Sequence, residues 1–239
     1  MWIAPLVFAL LAAPAFRVWR ASAGRRDAPE RSVAAFFALS GLGFALRFQA
    51  LNDGRLDTTL EIALNSAGHV ALSLASIALL SFTQRIFRPT ARAAMWGGSA
   101  LSLAALALLP LDGGATREDA DSLLALNALR ALVFSWSFLE AFLYWRQMRR
   151  RAALGLGDHV VANRFLLWSI WSAGLALCFV FVLGMRIAGR AIGADSALLP
   201  TYMPMIRVVL GAVVLASFVA ICLCFFPPAR YRAWIARPA

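Results

Sequence analysis

The 239-residue chain has no lysine; all 23 of its basic side chains are arginine. It also has little else that titrates or ligates: two histidines, three cysteines and 12 acids. Each scarcity removes a chemistry. Without lysine no retinal Schiff base can form, which excludes a pigment of the rhodopsin type. His69 is the only histidine inside an apolar run, and His159 stands beside arginines. That argues against a multi-histidine metal centre or a bis-histidine haem between two spans. No HExxH, P-loop or GxSxG is present. No cofactor and no metal are therefore expected, and an enzyme is not the favoured reading. Cys178, Cys222 and Cys224 lie in apolar runs with no histidine at ligand spacing. They read as buried free thiols rather than a disulfide framework.

Charge as a whole is also scarce, at 15% of residues, against about 25% in soluble domains. What replaces it is apolar: 62% of the chain is hydrophobic and the mean hydropathy is +0.74. The net charge of +11 does not point to nucleic acid, because the arginines punctuate apolar runs, which is the pattern of membrane proteins. Seven runs are long enough for a helix to cross a bilayer: roughly 2–17, 33–51, 60–84, 93–111, 121–145, 165–186 and 202–226. They lack the alternation of strands. The expected fold is an all-α integral membrane bundle of seven transmembrane helices filling residues 1–226, with 227–239 as a short tail.

The connecting segments alternate in sign. RVWRASAGRRDAPER, RIFRPTAR and the 149–164 stretch are basic, whereas NDGRLDTT and LDGGATREDAD are acidic. Basic segments stay in the cytoplasm, so the N-terminus is expected outside and the C-terminus inside. The first run starts without a basic residue, so it reads as a retained helix rather than a signal peptide. Absence of lysine beside abundant arginine fits a GC-rich bacterial genome, and the expected location is a bacterial inner membrane. Pro227 and Pro228 stop the last span. Tyr231, Trp234 and Ile235 then fall at helical spacing among arginines, as in a short amphipathic segment lying on the membrane.

Ionisable groups within spans are costly and therefore candidates for function. In the third run Glu61, Asn65, His69 and Ser73 recur every four residues and form one slowly drifting polar stripe. His69 lies about 12 Å beyond Glu61 along the helix. With the N-terminus outside, Arg47, Arg130 and Arg207 all fall in the outer half of their spans, with Asn127 one turn before Arg130. Together Arg47, Glu61, Asn65, His69, Asn127, Arg130 and Arg207 could line an outward-facing cavity for a small polar or anionic ligand, since the guanidinium fork suits carboxylate or phosphate. Glu140 is expected to pair with a basic residue such as Arg164. Arg149, Arg150 and Arg151, with Arg164, would hold the loop inside and offer a surface to a cytoplasmic protein. Asp158 is placed to cap the following helix.

Seven helices, an outside N-terminus, compact loops and a surface segment after the last span resemble seven-helix receptor-like proteins, and among bacteria the sensor halves of seven-helix signalling proteins. The resemblance is one of topology over nearly the whole chain. It implies a ligand cavity on the outer half and a partner surface on the inner face. The expected function is a sensor or receptor-like protein relaying to a cytoplasmic partner. A small permease or transport subunit, and a lipid-acting membrane enzyme or assembly factor, are the alternatives.

Overall fold

The computed structural model describes residues 3–21, 29–52, 57–90, 92–109, 121–192 and 198–235. Side chains are described over these ranges except in residues 3–10, 21, 51–52, 192 and 198–207. Among the described residues there are eight helices and no strand: α1 (Ile3–Ala21), α2 (Glu30–Asn52), α3 (Thr58–Phe87), α4 (Arg92–Leu108), α5 (Asp121–Ala153), α6 (His159–Ile192), α7 (Leu198–Phe225) and α8 (Ala229–Ile235).

Five of these are long and apolar enough to cross a membrane: Glu30–Ala50, Thr58–Phe87, Asp121–Ala153, His159–Ala191 and Val208–Phe225. The chain is a multi-pass helical membrane protein. Of the seven runs read in the sequence, five fall in these helices; the other two are α1, whose side chains are described only over residues 11–20, and α4. The fourth helix has 17 described residues, about 26 Å, at the lower end of what crosses a bilayer. The first run continues as helix through Arg17 and Arg20. The acidic connection at 111–120 and most of the basic connection at 22–28 lie outside the described residues.

The helices group into two compact units, 1–130 and 131–239, with the boundary inside the continuous helix α5. In the first unit α2 packs along both α1 and α3, and α3 also packs on α4. The α2–α3 seam is built on glycine. A Cβ on Gly43 would stand 2.7 Å from Leu72 Cγ and 2.9 Å from the Gly68 carbonyl oxygen. Membrane helices lack a hydrophobic drive to associate, so close backbone approach is what holds such a pair. The start of α5 joins α4 through Ala105, Leu109, Leu123 and Leu126.

The second unit has an aromatic interior. Phe134 of α5 meets Trp171 edge-on at 5.7 Å and stacks on Phe179 at 5.5 Å. Trp168 donates its indole N–H to Ser137 Oγ at 3.0 Å, so the polar edge of a buried tryptophan is satisfied. Gly174 of α6 lies directly against Ser217 Oγ of α7.

The segment between α5 and α6 is a helix stop followed by a helix start. Leu156 N–H donates to the Arg151 carbonyl at 2.9 Å and Gly155 N–H to that of Ala152 at 3.0 Å, with Gly155 at φ +71°. This is a Schellman ending, in which a left-handed glycine satisfies the last free carbonyls. Asp158 Oδ1 then accepts from Val160 N–H at 2.7 Å, capping α6. After Phe225 and the proline pair, α8 turns back onto α6, where Asn163 Nδ2 donates to the Tyr231 hydroxyl at 2.9 Å. Tyr231→Phe removes that bond. It is expected to cost about 1 kcal/mol, and hydrogen exchange should rise in residues 229–235 while the rest of α6 stays protected.

Candidate functional site

The first unit carries a charged group in an unusual setting. Arg130 is 3% exposed. Its helix brings Asn127 alongside, one turn earlier, and Nη1 donates to Asn127 Oδ1 at 3.4 Å. Nε and Nη2 are buried and have no hydrogen-bond partner among the described residues. No carboxylate among them neutralises the guanidinium. The charge close enough to act on it is another cation, Arg47 of α2. A buried guanidinium with neither counter-ion nor full hydrogen bonding costs several kcal/mol, so nothing among the described residues explains this arrangement by stability.

Arg47 is half-buried, and its position follows from the glycine seam. A Cβ on Gly68 of α3 would overlap Arg47 Cγ, so the missing side chain is the space through which the arginine stem passes. Arg47 Nε then donates to Asn65 Oδ1 of α3 at 3.1 Å. Asn65 thus sets the direction of one guanidinium and Asn127 that of the other. Three helices contribute: α2 with Arg47, α3 with Asn65, and α5 with Asn127 and Arg130.

The third helix extends this polar region. His69 is 2% exposed, one turn from Asn65, and Ser73, Ser76 and Thr83 continue on the buried face. Ser76 Oγ donates to the Leu72 carbonyl at 3.0 Å. Ser73 Oγ and Thr83 Oγ1 have no hydrogen-bond partner among the described residues. Gln84 closes the helix, donating from Nε2 to the Pro89 carbonyl at 2.8 Å.

Of the residues singled out in the sequence, Arg47, Asn65, Asn127 and Arg130 share the first unit's polar interior, with His69 buried on the same helix as Asn65. Glu61 is exposed in the first turn of α3. The side chain of Arg207 lies outside the described residues. In the second unit Glu140 is buried and accepts from Trp136 Nε1 at 3.3 Å; Arg164 is exposed. Trp136 was not singled out, although its place four residues before Glu140 puts both on one helix face. Gly68 was also missed, because its role depends on which residue of α2 lies opposite.

Among the described residues no three histidine, cysteine or acidic side chains converge to hold a metal ion. Comparison with protein-family models, with curated proteins and with solved structures gave no match.

Proposed function

We propose that the first unit recognises a small oxyanion, with Arg130 as its principal ligand and Arg47 as the second positive charge. The observation that carries this reading is the buried, unbonded Nε and Nη2 of Arg130. These two nitrogens form the side-on edge of a guanidinium, and their N–H bonds run parallel. Two oxygens of a carboxylate or a phosphate match that edge. Bringing an anion there would relieve the repulsion between the two arginines and supply the missing acceptors at the same time.

The wider reading is a sensor or receptor-like protein of a bacterial inner membrane. Its seven helices would run from an outside N-terminus to a cytoplasmic C-terminus, in line with the alternation of basic and acidic segments. A ligand transmits only if it favours one helix arrangement over another. The glycine seam offers such a link, because the Arg47 stem lies in it. Leu154 and Leu156, 74% and 77% exposed beside Gly155, are candidates for contact with a cytoplasmic protein.

Arg47→Gln should weaken binding of phosphate or a short carboxylate about tenfold, for loss of one nearby charge worth roughly 1.4 kcal/mol. Titration calorimetry on the purified protein would read it, with chloride as the control. Unchanged affinity would remove Arg47 from the site.

The buried hydroxyls of Ser73 and Thr83 favour a second reading, a permease whose polar path follows α3. Sealed proteoliposomes separate the two. A receptor binds the anion without net uptake, whereas a permease equilibrates it across the vesicle wall.

A further inference from the structure

We propose that the C-terminal part of α5 is a binding site for an anionic phospholipid. Phe142, Trp145, Arg146, Arg149, Arg150 and Ala153 line an open groove of about 340 Å³. Their spacing of three and four places all six on one face of α5.

That face changes character along the helix. Phe138, Phe142 and Trp145 form a ladder of rings, with centroids 5.9 Å and then 5.3 Å apart. The Arg149 guanidinium lies 5.7 Å from the centre of the Trp145 ring, a cation–π contact that holds the charge at the end of the ladder. Arg146 and Arg150 stand exposed beside it, one turn before and one residue after. From Phe142 to Arg149 the helix climbs about 10 Å. This is of the order of the step from the upper acyl chains to the headgroups.

The charge on this face is one-sided. Among the described residues no acid pairs with Arg146, Arg149 or Arg150. After Asp121 the only acid of α5 is Glu140. It lies nine residues before Arg149, half a helical rotation away, and it is engaged by Trp136. A soluble anion would use the arginines alone and leave the aromatic half of the groove idle. A phospholipid uses both: an acyl chain along Phe142 and Phe138, the glycerol region against Trp145, and the phosphate among the three guanidiniums. Tryptophan at this depth is typical of the headgroup belt. A zwitterionic lipid offers the same phosphate but adds a cation beside it, which the arginines repel. The expected ligand is therefore a lipid with net negative charge, such as phosphatidylglycerol. This site is independent of Arg130 and lies on a different stretch of α5.

The test uses the full chain in phosphatidylcholine vesicles containing brominated phosphatidylglycerol or, in parallel, brominated phosphatidylcholine. Trp145 fluorescence is isolated by subtracting the W145F protein. Arginine at an anionic surface is worth about a fivefold change in binding per residue. Phosphatidylglycerol should therefore quench Trp145 at roughly a tenfold or greater lower mole fraction than phosphatidylcholine. The R146Q/R149Q/R150Q protein should lose that preference, and R150Q alone should lose about fivefold of it. Glycerophosphate, which has no acyl chain, should not relieve the quenching. Equal quenching by the two lipids, or a preference kept in the triple variant, overturns the proposal. Relief by glycerophosphate overturns it too, in favour of a soluble anion site. Preferential quenching relieved only by a protein from the cytoplasmic side would assign the face to that partner and likewise overturn the lipid reading.

Discussion

Arg130→Met is expected to make the protein more stable and, at the same time, to abolish its response to anions. The side chain is 3% exposed, two of its nitrogens lack partners among the described residues, and a second cation acts on it. Methionine fills a similar volume without the desolvated charge. Replacing a buried ion pair by apolar groups of matching size is often neutral or stabilising, by about 1–4 kcal/mol, and a buried charge with no counter-ion among the described residues should gain on that order. A rise of that order in unfolding free energy, followed by denaturant or heat in a mild detergent, is the expected outcome in the absence of added anion. Arg130→Lys is the informative companion. It retains the charge but not the two parallel donors, so it should remain as unstable as the parent while binding anions poorly. A strongly destabilised Arg130→Met protein would mean instead that the guanidinium is a structural element with its own counter-ion.

Gly43→Leu is expected to have the largest structural effect of any single change in the first unit. Even the first added carbon meets Leu72 and the Gly68 carbonyl inside contact distance, and three more carbons must then be placed. Overpacking of this kind costs about 1–3 kcal/mol or more, and here it also pushes α2 and α3 apart. Arg47 follows Gly43 by one turn on α2, so the separation would pull its guanidinium from Asn65. Loss of stability and loss of anion binding should therefore appear together. Gly97→Leu is the control, because a Cβ there meets nothing within 4 Å; its effect should stay within about 0.5 kcal/mol. Thermal unfolding and calorimetry on both proteins would check this. Equal effects at positions 43 and 97 would argue against the glycine seam.

Hydropathy located most of the helices but not their ends. It marks hydrocarbon, and helices continue past it: α5 runs on through Arg146 to Arg151 and stops where Gly155 adopts a positive φ. Asp158 of that turn was readable because its role is local.

The candidate site divides in the same way. Asn127 and Arg130 are one turn apart on one helix, so their contact was visible in the spacing. The four-residue stripe of α3 was visible too, but it drifts by about 40° at each step. Over the eight residues from His69 back to Glu61 that amounts to about 80°, enough to carry Glu61 to the exposed side while His69 stays buried. The bond between Arg47 and Asn65, and the gap left for it by Gly68, depend on the register of two helices. Nothing local in the sequence sets that register. The arginines of the α5 groove carry a topological signal in the sequence, whereas its aromatic half, Phe142 and Trp145, takes its meaning from Arg149 on the same face.

The central claim is that Arg130, whose Nε and Nη2 have no hydrogen-bond partner among the described residues, serves an oxyanion. Its most direct test is thermal unfolding of the parent and Arg130→Met proteins across a phosphate and a short-carboxylate concentration series, at constant ionic strength set with chloride. A ligand that binds the folded state stabilises it by about 2.7 kcal/mol at a hundred times its Kd. The parent protein should therefore gain stability progressively with one of these oxyanions, and Arg130→Met should show no dependence on either. Parallel curves for the two proteins, or a parent indifferent to both anions, would contradict the account.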